Sequence, residues 1–269
     1  LPDGFDTGIA AFAEPLAVCL HAVNRAGPLV HRHVLVTGAG PIGCLTVMAA
    51  KLAGAARVTV TDVSRGVLDQ VAALGADQTI DVATDPAPLE ALQQQRGQVD
   101  VAFECSGNPS ALHACLEAVR PRGTIVQVGL MPPPDNAVPV NRLLAKELAL
   151  LGTFRFHDEF RSAVDVLVQQ RLDVAPLLTG VYDFTDADEA FEAARDRGHA
   201  LERGGLRVEL VVDADDGDRG RLLALERGLL RVEPLGELRE GDLGRNRAGG
   251  GGDLTDLGSN GHDRCGKDQ

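Results

Sequence analysis

The sequence predicts an α/β fold in which helices cover both faces of a six-stranded parallel sheet, a doubly wound arrangement. Short apolar runs alternate with segments of helical character along residues 1–156, and this alternation is typical of such a sheet. Glycine and proline mark the boundaries between elements: Gly75 follows the helical segment "VLDQVAAL", and Pro109 opens another helix after Asn108.

Six segments combine apolar character with the β-branched residues that strands prefer. Two helices follow the last of these segments. Phe160–Gln170 has an apolar stripe, and Thr185 with Asp188 has the spacing of a capping box that begins the helix "ADEAFEAARD". The predicted strands are Val34–Thr37, Arg57–Thr61, Gln78–Asp81, Val99–Glu104, Gly123–Val128 and Glu147–Thr153.

The composition changes after Val212, where Gly, Arg, Asp and Leu follow one another without a usable period. We expect residues 213–269 to be mostly disordered, although the segment "GRLLALERGLL" could form an isolated helix. Out-of-frame translation of a gene rich in G and C would give a similar composition, so both explanations of this tail stay open.

Charge and cysteine content exclude several classes of partner. The chain has 39 acidic and 26 basic residues and a formal net charge of -13, which disfavours nucleic acid and anionic membranes. Its five cysteines lack metal-knuckle spacing, so we expect reduced thiols in a cytoplasmic protein. We predict no membrane span or signal peptide, because Lys51 and Arg57 interrupt the longest apolar region.

Three glycines, Gly38, Gly40 and Gly43, carry the first indication of chemistry. In "VLVTGAGPIG" they follow a predicted strand and open a helix, as in a dinucleotide-binding turn. The first glycine permits the tight bend, the second lets a pyrophosphate approach the backbone, and the third lets the helix pack closely. Pro41 presets the first turn of the helix, whose N-terminal N–H groups would receive the phosphates. A glycine-rich turn without a ligand is the alternative.

Asp62 ends the second predicted strand, at the position where a carboxylate would meet the ribose of an adenosine. It would accept hydrogen bonds from the ribose hydroxyls and repel the 2′-phosphate of NADP, so NAD is the expected cofactor. Two alternatives stay open. Asp62 could cap the next helix, and the nearby Arg65 could serve a 2′-phosphate.

Two further loops, "FECSGNP" and "VGLMPPP", follow the fourth and fifth predicted strands. Ligands bind at this edge in open α/β sheets. Gly107 and Gly129 in these loops would permit close approach of a cofactor, but ordinary strand-to-helix turns have the same composition.

Several segments together resemble the zinc-dependent medium-chain dehydrogenases: "AEPLAVCLHAV", "VLVTGAGPIG", "FECSGNPSALHACLEAVRPRGTIVQVGL" and "GTFRFHDEF". Within that superfamily the resemblance is to the sorbitol and L-idonate 5-dehydrogenase group, and it extends over residues 1–212. It implies an NAD-binding Rossmann domain at 1–156 and a segment at 157–212 that returns to a GroES-like catalytic domain. This chain would hold only a remnant of that domain, followed by the unmatched tail at 213–269.

The resemblance also implies a role for Glu14 in "AEPLAV". In the polyol branch this glutamate stands at the third protein position of the catalytic zinc site, as a ligand or through the metal's water. Spacing alone would instead favour a charge that stabilises a helix start. The family's other zinc ligands, a cysteine and a histidine–glutamate pair, lie in a domain that would precede Leu1, so we expect this chain to lack them. His31 and His33 are more consistent with a solvated pair than with a metal site.

By the same resemblance Arg155 reaches the cofactor near the substrate, and Phe154 contributes a backbone contact. We assign no role to Glu104, because a charge at a strand end explains it. The complete predicted cofactor-binding set is Gly38, Gly40, Pro41, Ile42, Gly43, Asp62, Cys105, Ser106, Val128, Gly129, Phe154 and Arg155.

The implied activity is the reversible, NAD-linked and Zn²⁺-assisted oxidation of a secondary alcohol on a polyol or sugar acid, with L-idonate as the sharpest candidate. This chain would supply the cofactor half, so we expect it to bind NAD but not to turn over a polyol by itself. Two alternatives are a stand-alone NAD-binding module and a zinc-independent NADPH reductase of the same superfamily. Relatives suggest a homo-oligomer, a tetramer in which the sheet continues across subunits.

Overall fold

The computed structural model describes residues 1–133, 136–195, 208–212 and 222–225. Its centre is a six-stranded parallel sheet with the strand order β3-β2-β1-β4-β5-β6, which confirms the predicted architecture. The order reverses between β1 and β4, where an α/β sheet has its topological switch point. The strands are β1 (His33–Thr37), β2 (Arg57–Asp62), β3 (Gln78–Asp81), β4 (Val99–Glu104), β5 (Val119–Gln127) and β6 (Ala149–Gly152).

Helices cover both faces of this sheet. Residues of α2, α3, α4 and α8 share a core with one face, and residues of α5 and α6 share a core with the other. The helices are α1 (Thr7–Ala10), α2 (Ala13–Ala26), α3 (Pro41–Leu52), α4 (Arg65–Ala73), α5 (Ala87–Gln93), α6 (Pro109–Ala118), α7 (Val140–Lys146), α8 (Glu159–Val168) and α9 (Ala187–Arg195).

The register of the central strands explains their apolar sequences. Val34 of β1 is paired with Val58 of β2 and Val101 of β4, and all three are buried on one face. Successive side chains of a strand point to opposite faces, so Leu35 and Ala102 belong to the core on the other face. A strand buried on both faces needs a continuous apolar run, which is the pattern that predicted these strands.

The predicted helix boundaries at Gly75 and Pro109 are confirmed. Gly75 lies beyond the end of α4 with φ of 110°, a conformation that L side chains rarely adopt. Pro109 is the first residue of α6, and the Oδ1 atom of Asn108 accepts the Ser110 N–H at 2.9 Å as a helix cap.

The last two strands of the sheet differ from the prediction. β5 begins at Val119 rather than at Gly123, because Val119 already pairs with Val99 before the register shifts. β6 begins at Ala149 rather than at Glu147. Glu147 has φ of 52° and ends α7, a helix that the sequence pattern did not predict. Local propensity cannot show either boundary. The start of β5 depends on pairing with β4, and the start of β6 depends on where α7 ends.

The predicted capping box at Thr185 is wrong, although the helix after it exists. Thr185 lies in a 3₁₀ turn, and its N–H and hydroxyl both donate to Asp183 Oδ1, at 3.0 and 2.9 Å. The helix α9 then begins at Ala187. The Asp183 carboxylate therefore shapes this turn.

A smaller sheet contains β7 (Leu178–Asp183), β8 (Val208–Val212) and β9 (Leu222–Leu225). β8 pairs parallel with β7 and antiparallel with β9. β9 lies inside "GRLLALERGLL", so the predicted helix is wrong for these residues, because pairing with β8 supplies hydrogen bonds that a short isolated helix cannot retain. The rest of the predicted disordered tail lies outside the described residues. The domain boundaries after residues 156 and 212 stay predictions.

The helical run Thr7–Ala26 is long and apolar enough to cross a membrane by length and composition, which the sequence analysis did not predict. Its most apolar window is 67% buried inside the protein. Leu16 and Ala17 are fully buried, and α2 packs against α3 and α8. Burial of this kind is typical of the core helix of a globular domain.

Candidate dinucleotide-binding site

The predicted cofactor residues lie at or just beyond the carboxyl ends of β1, β2, β4, β5 and β6. Carboxyl ends of parallel strands meet at one edge of the sheet, so five separate segments come together there. The switch point between β1 and β4 lies in the middle of this edge. It is the position at which open α/β sheets bind ligands.

The glycine turn after β1 has two glycines required by packing and one that faces open space. Gly38 has φ of 89°, and a Cβ there would lie 2.9 Å from the Cβ of Ser106. A Cβ on Gly43 would overlap the carbonyl oxygen of Gly38. A Cβ on Gly40 would meet nothing within 4 Å. The backbone at Gly40 therefore faces open space, as the approach of a ligand to this turn requires.

The helix α3 begins directly after this turn. Pro41 is its first residue, and the Cys44 N–H donates to Gly40 O at 2.9 Å, the first bond of the helix. The first N–H groups of an α-helix have no partner within the helix, so those of Ile42 and Gly43 can bind an anion. No acidic residue occupies this first turn. The cofactor-binding roles of Pro41 and Ile42 stay predictions.

Asp62 connects the glycine turn to the loop after β2. Its Oδ2 atom accepts the Ala39 N–H at 2.7 Å, and its Oδ1 atom accepts the Ser64 N–H at 2.9 Å. A carboxylate offers about four acceptor positions, so two stay available for ribose hydroxyls. The helix α4 begins after Ser64, and Asp62 shapes the turn before it. Arg65 forms an ion pair with Asp69 one helical turn further on, at 3.0 Å.

Gly107 and Gly129, in the loops after β4 and β5, are explained by packing of the two loops. A Cβ on Gly107 would overlap the carbonyl oxygen of Leu130, and a Cβ on Gly129 would overlap the backbone nitrogen of Gly107. This observation favours the structural explanation for both glycines. Direct contact of Gly129 with a cofactor stays a prediction.

Glu104, at the end of β4, is the residue whose importance the sequence analysis missed. It is fully buried, and its carboxylate accepts hydrogen bonds from Thr37, Ser106, Gly107 and Gln127. Glu104 does end β4, as predicted, but the sequence analysis missed its structural role: this carboxylate joins β1, β5 and the loop after β4. A signal was available: Ser106 and Gly107 follow so closely that their N–H groups can reach back to it.

Two other members of the predicted set, Cys105 and Val128, are placed by the same loops. The Cys105 Sγ atom donates to Thr46 Oγ1 at 3.7 Å, and the Val128 N–H donates to Glu104 O at 2.8 Å. Burial, followed by the charge of Glu104, raises the pKa of the Cys115 thiol to about 12. Burial raises the pKa of Cys105 as well. Both buried thiols are therefore uncharged at neutral pH.

Glu14 and Arg155 approach each other from different parts of the chain. Glu14 lies in the first turn of α2, and Arg155 follows β6 with φ of 53°. Desolvation by the surrounding protein raises the pKa of Glu14, and the charge of Arg155 opposes this. The Arg155 guanidinium lies 5.4 Å from the ring centroid of Phe154, which is exposed. The predicted metal ligand and the predicted cofactor contacts therefore share one region.

The seam between α2 and α8 holds this region together. Glu159 accepts hydrogen bonds from His21 Nδ1 at 3.1 Å, Asn24 Nδ2 at 3.0 Å and the His157 N–H at 2.9 Å. Desolvation would raise the pKa of Glu159, but these hydrogen bonds outweigh it and hold the pKa at about 2. The carboxylate thus ties the segment that carries Phe154 to α2.

Zinc would have only one predicted ligand here. Within the described ranges of the chain, no group of three or more His, Cys, Asp or Glu side chains could hold a metal ion. His33 donates to or accepts from Thr59 Oγ1 at 2.9 Å, and His31 is exposed, so neither belongs to such a group. Glu14 therefore fits zinc only together with ligands from outside the described residues.

The fold and this strand edge define a doubly wound, Rossmann-like α/β domain. Residues 41–169 match the sequence profile of a family described as zinc-binding dehydrogenase. The match confirms the resemblance to zinc-dependent medium-chain dehydrogenases that the sequence motifs predicted.

Named relatives agree with this family. The chain is 42% identical over 210 residues to L-idonate 5-dehydrogenase (NAD(P)⁺) of Escherichia coli, covering 78% of this chain and 59% of the relative. It is 34% identical over 220 residues to sorbitol dehydrogenase of Gallus gallus, covering 80% and 60%. The crystal structure of the Escherichia coli L-idonate 5-dehydrogenase superposes with a TM-score of 0.71, covering 74% of this chain and 57% of that one. This chain therefore spans about 60% of the length of these relatives.

Proposed function

We propose that this chain is the cofactor-binding half of an NAD-dependent, zinc-assisted dehydrogenase that oxidises a secondary alcohol on a polyol or sugar acid. The observation that carries the proposal is the joined geometry of the glycine turn and Asp62. Gly40 faces open space, and Asp62 has spare acceptor positions. The hydrogen bond from the Ala39 N–H to Asp62 holds these two features next to each other. A dinucleotide offers a pyrophosphate and an adenosine ribose at such a spacing.

The choice of NAD over NADP rests on the charge of Asp62. A 2′-phosphate placed beside this carboxylate would meet like charge without a compensating cation, because Arg65 is paired with Asp69. The Escherichia coli relative carries NAD(P)⁺ in its name, so NADP is the alternative cofactor. Exposed ion pairs such as Arg65–Asp69 are weak, and release of Arg65 would favour that alternative.

The substrate class rests on the relatives and on the region of Glu14 and Arg155. The names of both relatives given above indicate a sugar acid or a polyol as substrate. L-idonate is the most specific substrate that we propose. A bound nicotinamide would supply the hydride chemistry. This chain's residues bind and orient that cofactor, and Glu14 would be one ligand of a zinc ion whose other ligands come from elsewhere. A cytoplasmic location and a homo-oligomeric, tetrameric state are part of the same proposal.

Titration of the full chain with NADH and with NADPH tests the cofactor assignment. We expect NADH to bind at least about tenfold more tightly, because Asp62 repels the additional phosphate. Tighter binding of NADPH would contradict the role of Asp62 and favour the NADPH reductase. If neither nucleotide binds, the cofactor-binding half itself is the wrong assignment.

Turnover separates the dehydrogenase from the stand-alone binding module. We expect no zinc-dependent reduction of NAD with L-idonate by this chain alone, because its described residues provide a single predicted zinc ligand. Activity should appear when the chain is expressed with a domain that carries a cysteine and a histidine–glutamate pair, if the flanking DNA encodes one. Appreciable turnover by this chain alone would contradict the proposal, and flanking DNA without such a domain would favour the binding module.

A further inference from the structure

Polar side chains occupy the last register of the strands β1, β4 and β5. Thr37 of β1 pairs with Glu104 of β4, and Glu104 pairs with Gln127 of β5. Thr37 and Glu104 are both buried, with 1% and 0% of their surface exposed. This polar row lies directly under the loops that follow the three strands.

The Glu104 carboxylate is saturated by neutral donors. It accepts the Thr37 hydroxyl at 3.3 Å, the Ser106 N–H at 2.9 Å and the Gly107 N–H at 3.1 Å. It also accepts the Ser106 hydroxyl and the Gln127 side-chain amide. Within the part of the chain that the structure describes, no Lys, Arg or His forms an ion pair with it. Backbone dipoles of the loop after β4 therefore satisfy much of this buried charge.

Gln127 extends the same network to the loop after β5. Its Nε2 atom donates both to the Glu104 carboxylate and to Gly129 O, the latter at 2.7 Å. The backbone carbonyl of Glu104 accepts the N–H groups of Val128 and Gly129, each at 2.8 Å. Gln127 Oε1 is buried without a described partner. The amide is thus oriented by its two acceptors, and both loops depend on one carboxylate.

We propose that Glu104 is a positioning residue that fixes the wall of the cofactor site made by residues 105–108 and 128–130. This inference rests on the proposed function. Charge-assisted hydrogen bonds are about twice as strong as neutral ones, so a carboxylate holds these backbone groups more firmly than an amide would. The glycine turn and Asp62 do not depend on the carboxylate in the same way, because their hydrogen bonds run to β2.

The isosteric substitution Glu104→Gln tests this role. The new side-chain oxygen can still accept the N–H groups of Ser106 and Gly107, but the new NH₂ group would face the NH₂ group of Gln127. To avoid two opposed donors, Gln127 must turn its amide, and it then loses its bond to Gly129 O. The wall after β5 is released while the volume of the core is unchanged.

The measurement is the dissociation constant of the full chain for NADH and for AMP. AMP carries only the adenosine and one phosphate, so it reports on Asp62 and the glycine turn. We expect Glu104→Gln to weaken NADH binding about tenfold or more and to change AMP binding less than about twofold. Glu117→Gln is the matched control: it neutralises a half-buried carboxylate of α6 that pairs with Arg142, away from the two loops, and should change neither constant. An unchanged NADH constant, or an equal loss for NADH and AMP, would overturn the proposal.

A second variant decides the matter if Glu104→Gln does not fold. Gln127→Met keeps the Glu104 carboxylate but removes the side-chain amide, and with it the hydrogen bonds from Nε2 to Glu104 and to Gly129 O. We expect a selective loss of NADH affinity of about threefold to tenfold, with AMP binding retained. Unchanged NADH binding by this variant would overturn the proposal. Failure of the unsubstituted chain to bind either NADH or AMP would instead refute the proposed function.

Discussion

The two ends of the carboxyl edge of the sheet are built in different ways. At the β1–β2 end, backbone conformation and one half-buried carboxylate, Asp62, shape the turns that follow β1 and β2. At the β4–β6 end, a fully buried carboxylate, Glu104, joins loops that follow three separate strands. The same chemical group therefore has two uses. Asp62 keeps acceptor positions for a ligand, whereas the acceptor positions of Glu104 are taken by the protein.

The contrast explains why one carboxylate was identified from sequence and the other was not. The ligand-facing group lies at a recognisable spacing from its glycines, because both belong to one β1–α3–β2 unit of consecutive elements. The buried group has partners on β1 and β5 that only the sheet register places beside it. The next predictions test this contrast, from the largest expected effect to the smallest.

Substitution of two glycines of the turn should separate folding from binding. Gly43→Ala should lower the free energy of unfolding by about 2 to 3 kcal/mol, because its Cβ would overlap Gly38 O. Gly40→Ala should cost less than about 1 kcal/mol, since its Cβ meets nothing, but it should weaken NADH binding about tenfold or more. Urea unfolding and NADH titration of both variants provide the measurement. Equal effects of the two substitutions on stability would contradict the packing argument.

Removing the charge of Asp62 should change cofactor preference. Asp62→Asn should reduce the ratio of the NADPH to the NADH dissociation constant about tenfold, or about 1.4 kcal/mol, because repulsion of the 2′-phosphate is lost. Asp77→Asn is the matched control. It removes an equal charge at the amino end of β3, where Asp77 pairs with Lys51. A ratio that changes equally in both variants would show that net charge, rather than Asp62, determines the preference.

The α2–α8 seam should contribute to stability in a pH-dependent way. Glu159→Gln should lower the free energy of unfolding at pH 7 by about 1 kcal/mol, since charge-assisted hydrogen bonds to His21, Asn24 and the His157 N–H are weakened. The pKa of Glu159 is lowered from 4.5 to about 2, so its contribution is complete above about pH 4.5 and is lost as the pH falls through about 2.

Unfolding curves measured between pH 7 and pH 2 check this dependence. The difference between the unsubstituted chain and Glu159→Gln should shrink as the pH falls below about 4.5. A difference that stays constant over this range would mean that the carboxylate stabilises the seam by packing and not by its charge.

The smallest effect is expected at Thr153, beyond the end of β6. Its hydroxyl is buried without a described partner, so Thr153→Val should leave the free energy of unfolding unchanged or raise it by less than about 1 kcal/mol. Urea unfolding measures the change, with Thr46→Val as the comparison, because Thr46 Oγ1 accepts the Cys105 thiol. A loss of more than about 1 kcal/mol at Thr153 would show that an ordered water satisfies this hydroxyl.

The fold was largely predictable because its signals are local. Gly75 and Pro109 mark element boundaries through the conformation of their own backbone. The apolar runs mark strands through the pattern of neighbouring residues. The errors fall where a distant segment decides the outcome. β5 begins early because Val119 pairs with Val99, and part of a predicted helix is a strand because β8 lies beside it.

The sequence by itself determined the doubly wound sheet, the glycine turn and the acidic residue at the end of β2, since hydrophobic periodicity and glycine spacing act within short stretches of chain. Only the tertiary structure decided that Glu104 organises two loops, that Glu159 joins α2 to the segment before α8, and that Glu14 approaches Arg155. The roles of these carboxylates depend on partners that are far away in sequence. Hydrogen bonds between such partners depend on strand register and helix packing, which no local pattern records.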